Sequence, residues 1–246
     1  GAGLNVFLNT TCFSDLLPLL LQKDFIAKQT NIAKWFKWGA LDGDIKSNGI
    51  SFNGFVHCDG LKAAFPIAFK GQVPQDSKLD AVMPADVKCV SILALSDVKN
   101  YLSSLESYRY GAGQIENVRK RKQEFARLFG DKLDEEWQAL LKGEWGKGTL
   151  FYDADRKQEE GIVVVHVKAG SLAKGLLEKM LKSYASKSGI SEASLYRSFA
   201  LDKDKKVCYF KMPVPDFVGV MWGYVLGGIA TNYVLVEDNY VVFASS

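Results

Sequence analysis

Histidine is almost absent. His57 and His166 are the only two in 246 residues, which rules out a His-rich zinc site. His57 neighbours Cys58. On a strand, adjacent side chains point to opposite faces, so the two do not form a nucleophile–base pair with each other. His166 alternates with valines in VVVHVK, the setting of a structural histidine at a sheet surface or edge. The four cysteines, Cys12, Cys58, Cys89 and Cys208, show no CxxC spacing, which argues against a zinc ribbon. Each lies in or beside an apolar segment, where cysteine acts as a small hydrophobe. Free thiols are expected, although the count also permits two disulfides.

Phosphate-binding and nucleophile signatures are missing too. The chain contains no GxxxxGK[ST] and no GxSxG. Gly111-Ala112-Gly113-Gln114 begins like a dinucleotide loop, but it follows a helix and Asn117 stands where glycine is needed. It reads as the stop of a helix over 97–109. No cofactor and no metal site is called for. The net charge is only +3, which favours neither nucleic acid nor an anionic membrane. The opening GAGLNVFLNT lacks the basic and small-residue regions of a secretory signal. Residues 217–236 carry no charge, and Gly219, Gly223 and Gly227 fall at GxxxG spacing. Thr231 and Asn232 interrupt that run, and the β pattern VLVEDNYVVF follows, so a membrane span is not expected.

What is present is a repeated pattern of apolar strand, polar cap and amphipathic helix. LNVFL is followed by TTCFSD and LLPLLLQKDFIAK, with Ser14 or Asp15 as cap and Pro18 in the first turn. KCVSILALSDVKNYLSSLESY has Ser96 as cap and a helical face of Val98, Tyr101, Leu102, Leu105 and Tyr108. GIVVVHVKAGSLAKGLLEKMLKSYASKSG has a strand over 162–168, Ser171 as cap, and a face of Leu172, Leu176, Leu177, Met180, Leu181 and Tyr184. Gly189 ends it. Phe7, Ile92 and Val164 mark equivalent points, too unevenly spaced for a solenoid. The pattern fits a diverged duplication of strand–helix–hairpin units, or plain alternation.

Hairpins lie between these units. Asn48-Gly49 suits a tight turn with positive φ. Others are expected around the charged link in TLFYDADRKQEEGIVVVHV, at 202–205 and at 237–239. VRKRKQEFARLFGDKLDEEWQALL reads as helix broken at Gly130-Asp131, with a buried stripe from Val118 through Trp137 to Leu140. Its basic cluster, Arg119 to Lys122, is answered by Asp131, Asp134, Glu135 and Glu136 and reads as a solvated face, so no nucleic-acid partner is expected. The fold expected is α+β, mostly antiparallel sheet with several amphipathic helices. Two α+β units, 1–110 and 111–246, are expected to pack as one globular fragment.

Candidate functional residues cluster in WFKWGALDGDIKSNGISFNGFVHC, residues 35–58. Asp42 and Asp44 share a strand face, and paired carboxylates can serve as acid and base in sugar hydrolysis. The simpler reading is a solvated face near a turn, with no aromatic sugar platform evident around it. Trp38 is expected to be largely buried. Trp38, Asp42, Asp44 and His57 are the candidates for a ligand surface, and no residue is assigned a catalytic role.

Four stretches carry a resemblance: WGALD at 38–42, FPIAFKGQVP at 65–74, MPADVKCVSILALSDVKNYL at 83–102 and EDNYVVFASS at the end. In their order the chain resembles a bacterial domain-of-unknown-function family of membrane-anchored extracytoplasmic proteins. The resemblance implies a β-rich exported region and a membrane anchor outside this chain. It transfers no functional residue. A non-enzymatic binding or scaffold module of the cell envelope is the expected function, with a protein or envelope component as partner. An acid-residue hydrolase or carbohydrate-active enzyme is the alternative. The chain closes on a strand plus Ser245 and Ser246, where the pattern calls for another helix. A segment of a longer protein is therefore expected, with weak self-association through an apolar patch.

Overall fold

The computed structural model describes residues 3–10, 12, 36–47, 49–58, 64–153, 158–200 and 206–246. The expected helix after residue 13 lies outside them. The fold is α+β, with antiparallel sheets of three and seven strands. Two compact units divide the chain. One comprises residues 1–71 and 101–116, the other 72–100 and 117–246. The division does not fall at residue 110, because the strand at 89–94 pairs inside the second unit's sheet.

In the first unit, β1 (Leu4–Asn9), β2 (Trp38–Lys46) and β3 (Gly49–His57) form a meander. Lys46 pairs with Gly49, so Gly49, expected in the turn, is already a residue of β3. Asn48 lies outside the described residues. Gly54 is required sterically: a Cβ there would stand 1.9 Å from the Ala40 carbonyl oxygen. The same unit packs Phe65 against Tyr108 and Phe69 against Tyr101, with ring centroids 5.5 and 5.4 Å apart.

The second unit's sheet runs β4 (Cys89–Ala94), β5 (Leu141–Asp153), β6 (Gln158–Val167), β10 (Tyr240–Ala244), β9 (Tyr233–Glu237), β8 (Lys206–Lys211) and β7 (Tyr196–Ala200). Helices α1 (Val98–Gly111), α2 (Ile115–Phe129), α3 (Leu133–Leu140), α4 (Gly170–Ser188) and α5 (Phe217–Trp222) complete the described elements. Gly130, at φ +126°, separates α2 from α3 as the sequence predicts. The uncharged run does not form a long helix. It becomes the six-residue α5, a 3-10 turn at Tyr224–Leu226 and then β9. Among the described residues, no helix is long and apolar enough to cross a membrane.

One face of this sheet carries the core. Trp145, Val163, Val165, Val241 and Phe243 are fully buried on it. They meet a cluster of aromatic rings from the helices. Trp222 lies 5.3 Å from Trp137, 5.8 Å from Phe217, 5.6 Å from Phe243 and 6.2 Å from Trp145. Phe125 extends the cluster to 5.5 Å from Phe217. Such tilted and edge-to-face pairs each add roughly 0.5–1.5 kcal/mol beyond area burial.

The caps differ from expectation. Asp97, not Ser96, caps α1, its Oδ1 accepting the Asn100 N–H at 2.9 Å. Ser96 instead accepts the Val73 N–H at 3.0 Å. Ser171 does not cap α4. The helix starts one residue earlier, and Asn239 in the β9–β10 turn accepts the Gly170 N–H at 3.1 Å. A Cβ on Gly170 would stand 1.7 Å from the Asp238 carbonyl oxygen, so only glycine admits this docking. Starting α4 there also leaves Leu172 61% exposed, while Ala173 takes the buried position.

Two stability outcomes are expected. Trp222→Ala should cost about 3–5 kcal/mol in a urea titration, as for buried large-to-small changes. Asn239→Ala should cost about 1 kcal/mol, the usual worth of an N-cap, although the residue is distant in sequence from the helix it caps.

Candidate functional site

Strand pairing brings all four candidate residues onto one surface. Trp38 is the cross-strand partner of His57, Asp42 of Asn53 and Asp44 of Ser51. On the other side of β2, Asn9 pairs with Trp38, Phe7 with Ala40 and Asn5 with Asp42. Directly paired residues share a face, and so do alternate residues along a strand. One face of the three-stranded sheet therefore holds Phe7, Trp38 and Phe55 among Asn5, Asn9, Asn53, Asp42, Asp44 and His57. The opposite face carries Leu4, Val6, Leu8, Leu41, Ile45, Ile50, Phe52 and Val56, an almost wholly apolar set.

The polar face is open. Phe7 is 73% exposed, Phe55 74% and Trp38 48%. Trp38 is thus not the buried residue expected: its strand position sets it beside Asn9 and His57, on a sheet whose two faces both carry exposed side chains. Phe7, Trp38 and Phe55 together put three exposed aromatic rings on one face. Phe7 and Phe55 flank Ala40 across the sheet, roughly 10 Å apart by the strand spacing. Only pairing brings them together, since Phe7 lies far from residues 35–58 in sequence.

The polar groups are partly interlocked. Asn5, with its amide turned to donate, reaches Asp42 Oδ1 at 2.9 Å. Asp44 pairs with Lys46 at 3.2 Å, and both side chains are exposed. At the strand ends, the Thr10 hydroxyl donates to the Phe36 carbonyl, and Lys37 N–H donates to the His57 carbonyl at 2.8 Å. These bonds hold the strand ends that present Trp38 and His57.

The other histidine belongs to a half-buried cluster in the second unit. His166 Nδ1 lies 3.1 Å from Glu144 Oε2, and the Tyr240 ring stacks on the imidazole at 4.7 Å and 26°. Glu144 also accepts from the Ser77 hydroxyl at 2.8 Å and from the Lys78 N–H. Burial alone would raise the Glu144 pKa. The Lys78, Ser77 and His166 hydrogen bonds overcome it and hold the carboxyl below its ordinary range. With Glu144 ionised, Nδ1 is the donor. Burial, and next the Glu144 charge, push the Tyr240 hydroxyl up.

This cluster fastens the 77–87 segment over the sheet. Gly146 and Gly148 leave room beneath it, where a Cβ would meet Met83 at 2.4 Å and Val87 at 3.1 Å. Ser77 donates to Glu144 and not to His166, so the cluster is not a nucleophile–base pair. Among the described residues, no group of three or more His, Cys, Asp or Glu side chains is placed to hold a metal.

The remaining motifs are engaged elsewhere. Arg121 grips Asp216 through Nε at 2.7 Å and Nη2 at 2.8 Å, which holds the Asp216 carboxyl below its ordinary range. Lys122 pairs with Asp134 at 2.9 Å. None of the four cysteines is in a disulfide, and Cys12, Cys89 and Cys208 are exposed rather than packed as small hydrophobes.

A depressed carboxyl pKa stabilises the fold above its ordinary value, here 4.5, and that contribution disappears as pH falls through the lower folded value. Urea midpoints should therefore drop between pH 5 and pH 3 more steeply in the wild type than in Glu144→Gln. Equal slopes would remove Glu144 from the acid response.

No family model, curated protein or solved structure matches the chain.

Proposed function

We propose that this chain is a non-enzymatic binding module of a bacterial cell-envelope protein, and that its ligand surface is the outer face of β1–β3. The carrying observation is the set of exposed aromatic rings at Phe7, Trp38 and Phe55 within a field of amide, carboxylate and imidazole groups. Rings of this kind offer flat apolar area to the C–H faces of sugars. Side-chain amides and carboxylates beside them accept and donate the hydrogen bonds that hydroxyls need. The fixed charges on this face include Asp42 and Asp44, so a neutral polysaccharide is favoured over an acidic one. The extracytoplasmic location, with an anchor outside this chain, rests on the family resemblance of the sequence and agrees with an envelope glycan as ligand.

The hydrolase alternative has one observation in its favour. Asp42 and Asp44 are alternate residues of one strand, about 7 Å apart, within the carboxylate spacing of inverting glycosidases. Against it stand the exposure of both side chains and the Lys46 partner of Asp44. A general acid needs an enclosed, apolar setting to keep its proton near neutral pH. Binding is the better reading.

In native affinity electrophoresis, neutral polysaccharides cast in the gel should retard the protein. Trp38→Ala and Phe55→Ala should each weaken binding about tenfold, or about 1.4 kcal/mol. Trp38→Ala should cost only about 1 kcal/mol of stability, since the ring is half-exposed. Asp42→Asn with Asp44→Asn should leave no hydrolysis to lose. Unchanged mobility across a panel of neutral glycans would overturn the proposal.

A further inference from the structure

β3 closes one side of the three-stranded sheet, and its outer edge meets no other strand. Among the described residues, the backbone of Gly49–Val56 bonds only to β2. All nine residues of β3 are exposed. Such an edge presents a row of unsatisfied N–H and C=O groups, which a further strand would satisfy.

Folded proteins ordinarily blunt their edges with short strands, charges, proline or bulges. The seven-stranded sheet does so. Its edge strand β4 has six residues, and β7 has five with Arg197 among them. β1, the other edge of the small sheet, has six residues, and Val6, Leu8 and Asn9 are part-buried. β3 has no such device. GISFNGFVH contains no Lys, Arg, Asp, Glu or Pro, and its register against β2 runs unbroken from Lys46–Gly49 to Trp38–His57.

The sequence of β3 suits a second β3. Residues paired across antiparallel strands share a face, so a two-fold axis between two copies must pass through a residue and not between two. Asn53 is the midpoint of Gly49–His57, and an axis there pairs the strand over its whole length. Ile50 then stands opposite Val56 of the second copy, Ser51 opposite its Phe55 and Phe52 opposite its Gly54. Branched aliphatics meet, and each phenylalanine faces a small residue. Asn53 meets its own copy, where two amides bond as donor and acceptor. No like charges oppose each other, because β3 has none.

We propose that the chain dimerises through β3, two copies pairing this strand antiparallel about a two-fold axis at Asn53. Two three-stranded sheets join into one of six strands. The axis is perpendicular to the sheet, so the faces holding Phe7, Trp38 and Phe55 lie on the same side in both copies. A single strand pair is a small interface, so the dimer forms and dissociates with concentration. It does not depend on what that face binds.

In sedimentation equilibrium of the whole chain, the mass should rise from one chain to two with concentration. Hydrogen exchange in residues 49–57 should slow in parallel. Asn53→Lys and Asn53→Asp each set like charges against each other on the axis, and each should weaken the dimer about tenfold. Mixed one to one, lysine faces aspartate and the dimer should return. Circular dichroism checks the folding of each variant, and the exchange measurement needs no substitution. A mass of one chain at every concentration overturns the proposal, as does a dimer in which exchange of 49–57 is unchanged. A dimer that Ile45→Ser on the apolar face dissociates, and that neither Asn53 variant weakens, overturns the edge as its route. Folded variants that stay monomeric when mixed overturn the register at Asn53.

Discussion

Phe217 and Trp222 stand at the two ends of one short helix, and most of the second unit is arranged around them. Between them they touch Phe125 of α2, Trp137 of α3, Trp145 of β5 and Phe243 of β10. All six rings are fully buried. The sheet and three helices thus share a single aromatic junction. Its rings are rigid and meet mostly at tilted or perpendicular angles, so shifting one displaces several others. Arg121 secures the same region from outside, since Asp216 immediately precedes Phe217 and holds the guanidinium with two hydrogen bonds. A six-residue helix has little stability of its own, so these tertiary contacts hold α5 in place.

Each sheet is two-sided, and its two sides differ in chemistry. In the second unit the junction occupies one face. The other is covered only in part, by the segment that Glu144 fastens over Gly146 and Gly148, which leaves a cleft beside β8 and β9 open. In the first unit the alternation is clearer. Aliphatic side chains collect on one face, and aromatic rings mixed with amides and carboxylates collect on the other. Phe7 and Phe55 are nearly three-quarters exposed on the polar face, and Ile45, Ile50 and Phe52 on the apolar face are at least half exposed.

Some of this was legible in the sequence because it follows from local geometry. The amphipathic stripes of α1, α2, α3 and α4, the break at Gly130 and the left-handed stop at Gly189 depend on neighbours within a few residues. The α+β class and the hairpins follow from the same short-range patterns, whereas the basic cluster, expected as a solvated face, is tied down in part by Arg121–Asp216 and Lys122–Asp134. The shared face of Asp42 and Asp44 needed only the twofold period of a strand.

What tertiary structure alone decided concerns residues that meet across long separations. Ser171 was a reasonable cap by type, but Asn239 reaches Gly170 first, because the β9–β10 turn packs against the helix start. Ser96 lost its capping role to Asp97 for a similar reason, being drawn to Val73 and Gln72. The neighbours of Trp38, Asn9 and His57, are set only by the pairing of β2 with β1 and β3. The partners of Phe7, and so the candidate ligand surface, depend on strand order and register. The sequence by itself determined the elements and their apolar faces, since those rest on interactions between near neighbours. Only the folded chain decided which faces stay open, because exposure depends on how distant segments pack.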